Sequence, residues 1–313
     1  MKLKSLLVAA LSSVSLLGLP GQAHAAEYAF LLKTLANPFW AQMKEGIEQE
    51  AKKQGVEVEV FASPSEGDVQ AQLTLFEDLL NKNYKGIAFA PISPVNLIQP
   101  VAKAYKKGIF LVDLDEKIDT NNLKQAGGNI EAFVTTDNVA VGKKGADFIL
   151  SKLGDKGGKV AIIEGKAGVA SGEARKKGAT DAFKAAKNIE LVASQPADWD
   201  RLRALDVATN ILQTSPDLQA FYCANDTMAL GVMQAVQNLG KAGKIIIVGT
   251  DGAPEAIKMV EAGRLTATVA QDPAKVGATG LDELVKAVKS GKQIGVDGEP
   301  KFTPIESVLI TKK

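Results

Sequence analysis

Short apolar runs, many of them β-branched, recur along the chain and alternate with amphipathic segments. The runs are YAFLLK (28–33), VEVEVFA (56–62), GIAFAP (86–91), GIFLVDL (108–114), KVAIIEG (159–165), IELVASQ (189–195), LQAFYCA (218–224), KIIIVGT (244–250) and LTATVAQ (265–271). Between them, apolar residues recur at spacings of three and four, as in Met43, Ile47, Ala51 and in Met228, Val232, Ala235, Val236, Leu239. Nearly continuous apolar strands alternating with helices predict parallel sheets covered on both faces, built from repeated βαβ units. A (β/α)8 barrel shares this periodicity and is only weakly disfavoured by it. Length favours two domains, since the chain exceeds the ~100–200 residues of a usual single domain. A polar, glycine-containing stretch at 119–133, followed by a helix restarting within VTTDNVAVGKKGADFIL (134–150), hints at where they divide.

The first 25 residues are set aside from the fold. Lys2 and Lys4 precede the apolar stretch LLVAALSSVSLLGLP, and Ala23-His24-Ala25 supplies a small-x-small cleavage pattern. This reads as a secretory signal peptide cut after Ala25. The stretch is too short and interrupted for a membrane span, which needs ~20 apolar residues. Without Lys2 and Lys4 the chain carries 35 basic against 36 acidic residues, a net charge of −1. Such a balanced surface argues against a nucleic-acid partner. Cys223 is the single cysteine, so no internal disulfide can form; its apolar setting predicts a buried structural thiol. The single histidine, His24, leaves with the signal peptide. No imidazole then remains for acid–base catalysis, a triad or a zinc site, and neither a cofactor nor a metal is expected.

In open parallel sheets, ligands sit beyond the carboxyl ends of the strands. At or just after the runs stand Lys33, Asn37, Phe39 and Trp40; Asp115 and Glu116; Arg175; Trp199; Asn225 and Asp226; Asp251; and Gln271. Amide, carboxylate and guanidinium groups make paired hydrogen bonds in fixed geometry, and aromatic faces cover C–H surface. A sugar, with hydroxyls around its edge and C–H patches on its faces, requires both. Blander roles compete at each position. Asn37-Pro38 is a good N-cap and N1 pair, Asp226 resembles a helix N-cap, and Lys33 and Arg175 could be solvated charges. Phe39 and Trp40, about 100° apart on a helix, cannot both centre on one core stripe. Glycines 165, 168 and 172 invite a phosphate-loop reading but match neither nucleotide-binding pattern. Asp115 and Asp251 could in principle serve a glycosidase, although nothing in their spacing favours it.

Taken together, LANPFW, ASPSEGD, GIAFAPISPVNL, DLDEKID, EGKAGVASGEAR, SQPADWDR, CANDTMALG, VGTDGAPEA and TATVAQDP resemble the periplasmic sugar-binding proteins of the ribose-binding type, over essentially the whole chain after residue 25. The resemblance implies a type I periplasmic binding protein: two doubly wound, parallel-sheet α/β domains joined by a three-crossover hinge and closing around one monosaccharide. Crossovers near 136, 271 and 302 would give one domain 26–136 with 272–302 and the other 137–271 with 303–313. By the same resemblance, Asn37, Asp115, Arg175, Asn225, Asp251 and Gln271 hydrogen-bond the sugar, and Phe39, Trp40 and Trp199 stack on it. Trp40 and Trp199 stand where ribose binders carry phenylalanine, Glu116 stands where they carry arginine, and Lys33 adds a donor. These departures imply a hexose, D-allose, with ribose or another pentose or hexose as the alternative. The implied protein is a periplasmic monomer without enzymatic activity. Its partners would be an ATP-driven (ABC-type) membrane permease and, secondarily, a chemotaxis receptor. An exported glycoside-processing enzyme and the sensor core of a sugar-responsive repressor are the rival readings; the signal peptide weighs against the latter.

Overall fold

The computed structural model describes residues 26–312; the expected signal peptide and its cleavage point lie outside them. The chain begins β1 (Tyr28–Leu32), α1 (Pro38–Gln54), β2 (Val58–Ala62), α2 (Val69–Leu79), β3 (Gly86–Phe89), α3 (Ile98–Lys106), β4 (Phe110–Leu114), α4 (Thr120–Gln125) and β5 (Ala132–Thr136). It continues α5 (Asn138–Leu153), β6 (Gly158–Glu164), α6 (Ala170–Ala185), β7 (Ile189–Pro196), α7 (Arg201–Thr214), β8 (Ala220–Cys223) and α8 (Asp226–Asn238). The last elements are β9 (Ile246–Asp251), α9 (Pro254–Glu261), β10 (Ala267–Ala270), α10 (Pro273–Ser290), β11 (Lys301–Ile305) and β12 (Val308–Thr311).

The strands form two six-stranded sheets, ordered β11-β5-β4-β3-β1-β2 and β12-β10-β9-β8-β6-β7. Every pairing is parallel except β10 with β12. Helices cover both faces of each sheet, so the central strands β1, β3 and β8 are wholly buried and read as unbroken apolar runs, whereas the edge strands β2 and β7 are only partly buried. In β1, Phe30 and Leu32 enter one core while Ala29 and Leu31 enter the core on the opposite face. The second sheet likewise divides its side chains between two cores. Cys223, in β8, is fully buried, and burial pushes its thiol well above the ordinary pKa.

Three strands escaped the pattern of apolar runs. In β5, AFVTT follows a polar stretch and runs into Asp137, the N-cap of α5, so it reads as a helix entry. In β11, Pro304 argues against a strand, yet this edge strand pairs on one side only, where proline is tolerated. The four-residue β12 is too short to stand out.

The chain passes between the sheets three times. The first passage leads from β5 into α5, which packs on β8, β9 and β10. The second leads from β10 into α10, which packs on β3, β4 and β5 and along α1. Gly46 permits that helix contact, since a Cβ there would lie 2.0 Å from the Ala274 carbonyl oxygen. The third falls between β11 and β12, after Ile305 rather than at the expected 302, because Lys301–Ile305 pairs in register with Ala132–Thr136. In both sheets the strand order reverses, beside β1 and beside β6, and the crevice at such a reversal is where open α/β sheets hold ligands.

Candidate functional site

Both sheets direct their strand ends at one cavity of about 320 Å3, lined by Lys33, Asn37, Phe39, Trp40, Glu66, Asp115, Ser171, Arg175, Trp199, Asn225 and Asp251. Nine of the twelve strand-end residues named from the sequence are among them, all but Glu116, Asp226 and Gln271. A groove of about 1340 Å3 opens elsewhere, beside Lys244–Ile247 and Gly263–Thr266, but no carboxylate lines it.

From the first sheet, the turn after β1 delivers Lys33 and Asn37. The Asn37 carbonyl caps α1 by accepting from the Phe39 N–H at 3.1 Å, and its Nδ2 donates to Glu66 Oε1 at 2.8 Å. The indole N–H of Trp40 donates to the same Glu66 oxygen at 3.1 Å. Phe39 and Trp40 stack edge to face with centroids 5.0 Å apart. Contrary to the expectation that they could not share the core, both are buried in the core beneath α1, and both also line the cavity. Perpendicular rings let adjacent positions do this. Glu66 lies in the loop after β2, and the ASPSEGD motif is its only signal in the sequence.

Asp115 follows β4 with φ 61°, and its Oδ1 is buried without a partner in the protein. Behind it, buried Asp113 accepts from the Ile118 N–H at 2.8 Å and closes the loop that carries Asp115 and Glu116.

From the second sheet, Arg175 is 4% exposed and donates to Asn138 Oδ1 at 2.8 Å, to the Ala224 carbonyl at 2.7 Å and to Asp251 Oδ1 at 3.3 Å. These bonds fix the guanidinium in place, 5.9 Å from the Trp199 ring centroid. Trp199 rests on the backbone at Gly165 and Gly172, where a Cβ would come within 2.0 and 3.0 Å of its ring. Two of the three glycines that suggest a phosphate loop are therefore a slot for an indole, while Gly168 has open space around it and a φ of 80°. Asn225, not Asp226, caps α8, accepting from the Met228 N–H at 2.8 Å. The Asp226 carboxylate turns inward to Thr268 Oγ1 at 2.8 Å and the Ala253 N–H at 2.7 Å, which joins α8 to β10 and to the start of α9.

Like Asp226, Gln271 and Glu116 stand off the cavity. Gln271 turns its Nε2 to Asp251 Oδ1 at 2.7 Å, leaving its buried Oε1 without a protein partner. Glu116 is fully buried and turned toward the start of α6, accepting from Ser171 Oγ at 3.0 Å. Asp115, Trp199 and Asp251, at φ 61°, 65° and 117°, are three of the four non-glycine residues with positive φ among those described. Such strain gathers where side chains must be aimed.

Burial lifts the Asp115 carboxyl to about 6, with Lys33 and Arg175 pulling it back down. Asp251 is likewise lifted to about 6 by burial, against Arg175 and the hydrogen bond from Gln271. Two cations, Lys33 and Arg175, thus face three carboxylates in the wall, Glu66, Asp115 and Asp251. This balance repels anionic ligands and suits neutral molecules rich in hydroxyl donors. Among the described residues no cluster of His, Cys, Asp and Glu is placed to hold a metal ion, and no helix is long and apolar enough to cross a membrane.

The periplasmic binding protein domain model matches residues 28–293, and the chain belongs to that family. It is 70% identical to the D-allose-binding periplasmic protein of Escherichia coli (strain K12), over 92% of this chain and 93% of that one. The ribose import binding protein RbsB of Haemophilus influenzae is 36% identical, over 92% of this chain and 96% of its own. An ABC transporter periplasmic solute-binding protein from Actinobacillus succinogenes, solved with bound D-allose, superposes with a TM-score of 0.85 at 34% identity, covering 92% of this chain and 98% of that one.

Proposed function

We propose that this chain is the periplasmic substrate-binding component of an ATP-driven sugar importer and that it takes one molecule of D-allose in the cavity between its two sheets. One observation carries the reading. In a chain 70% identical to a D-allose-binding protein, aromatic faces and fixed polar groups from both sheets converge on a single cavity of about 320 Å3. Phe39, Trp40 and Trp199 cover the C–H faces of the ring. Lys33, Asn37, Glu66, Asp115, Arg175, Asn225 and Asp251 meet its hydroxyls. Gln271 steadies Asp251 from the second passage of the chain.

Each sheet with its helices moves as one domain: 26–136 with 272–305, and 137–271 with 308–312. The three passages are the hinge. Sugar binds the closed arrangement far better than the open one, because only the closed cleft brings both walls to the ring, and this difference in affinity shifts the population. Closure then presents both domains to a membrane permease. A chemotaxis receptor would read the same closed face, and the protein acts as a monomer.

The test is a thermal-shift panel of monosaccharides with purified protein. A ligand at 1,000 times its Kd adds ~4 kcal/mol of stability. D-allose is expected to raise Tm most, with ribose and other hexoses well below it. A panel in which no monosaccharide shifts Tm overturns the reading.

A further inference from the structure

The carboxylate of Glu116 crosses the cleft. It stands just beyond β4, on the first domain, and accepts from the backbone N–H of Ala170, the backbone N–H of Ser171 at 3.3 Å and the Ser171 hydroxyl at 3.0 Å. All three donors belong to the first turn of α6 on the second domain. The residue in the N-cap position of that helix is Val169, whose side chain makes no capping bond. The cap that α6 lacks in its own sequence comes from the other domain. Lys33, which lines the cavity, holds its ammonium 3.6 Å from the same carboxylate. Away from the three passages, no other side-chain hydrogen bond among the described residues joins the two domains.

We propose that Glu116 is a positioning residue for sugar binding: its carboxylate latches the closed cleft by capping α6, the helix that carries Arg175, and Lys33 couples the latch to the sugar. The proposal deepens the binding reading above and rests on it. In the open state the first amides of α6 and the Glu116 carboxylate return to water, so the latch adds to the closed state alone. Lys33 spans both contacts. A sugar hydroxyl that fixes its ammonium also fixes the counter-charge of Glu116. The latch therefore acts on release of the sugar, which requires opening, more than on its capture by the open form.

Glu116→Gln keeps the shape and removes the charge. Charge-assisted bonds and a helix cap together predict a loss of about 10- to 100-fold in D-allose affinity. Stopped-flow tryptophan fluorescence should place that loss in the dissociation rate, with the association rate changed by less than about threefold. Ser171→Ala, which removes one donor of three, should give a smaller effect that does not add to that of Glu116→Gln in the double variant. The Tm of the ligand-free variants should nearly match that of the unaltered protein, since without sugar the latch is made only in a minor closed population. An unchanged dissociation rate, or a ligand-free Tm lowered in step with affinity, overturns the proposal. Spin labels at Glu48→Cys and Gln213→Cys report closure directly, with and without D-allose. Loss of a short-distance population in Glu116→Gln supports the latch, even if no sugar binds and the binding reading falls. Identical distance distributions in variant and parent under both conditions overturn it.

Discussion

Asp115 and Asp251 hold carboxyls that burial has lifted to about 6, and each keeps a cation close by, Lys33 or Arg175. Sugar hydroxyls donate to the ionised forms and so lower both pKa values in the complex. Where the free carboxyls hold protons, binding must expel them, so affinity falls as pH drops through about 6 and is level above about 7. Calorimetry in buffers of different ionisation enthalpy should detect proton release on binding at pH 5.5 and almost none at pH 8. Proton uptake at pH 5.5, or affinity that rises toward pH 5, would contradict these roles. Much of the residue scale was legible because the chemistry sits at strand ends, where the fold itself directs attention. Lys33, Asn37, Asp115, Arg175, Asn225 and Asp251, all of which line the cavity, stand out in that way. Glu66 does not, since a loop glutamate has no periodic signature and its partners, Asn37 and Trp40, lie 29 and 26 positions away. The direction of a side chain was equally hidden. Glu116 and Gln271 look like cavity residues in the sequence, but the amides of α6 and the Asp251 carboxylate claim them.

Between elements, one buried amide organises the loop after β3. Gln72, in α2, donates to the Ala90 carbonyl at 2.8 Å and accepts from the Ile92 N–H and the Asn96 amide, each at 2.8 Å. Gln72→Leu fills the same volume but strands those three groups, at an expected cost of ~2–4 kcal/mol in urea unfolding. A loss below ~0.5 kcal/mol would show that the loop repairs itself. Helix ends show a similar economy, with Asn37 and Asn225 both capping a helix and lining the cavity. The nine apolar runs are each a strand: the central ones carry the pattern of burial on both faces, and the partly buried edge strands β2 and β7 still keep enough β-branched and apolar residues to show. The polar approach to β5 and the proline in β11 disguised the strands that border the hinge, where chain direction is set by pairing partners rather than by local composition.

For the whole molecule, the two sheets repeat one topology, with β1 and β6 at equivalent reversals of strand order. Facing the two crevices across three chain passages makes a cleft whose walls separate when it opens. Neither wall alone can surround a ring: the first offers Phe39, Trp40 and Asp115, the second Arg175, Trp199 and Asp251. On the proposed function, ligand affinity is thereby tied to closure, and closure is the signal a membrane partner would read. Isothermal titration of the purified protein with D-allose, followed in parallel by the fluorescence of Trp40 and Trp199, tests this most directly. The account expects saturation at one sugar per chain, tighter than for ribose, with a fluorescence change tracking the heat because both indoles line the cavity. Absence of heat and of any fluorescence change with D-allose and the common monosaccharides would contradict it.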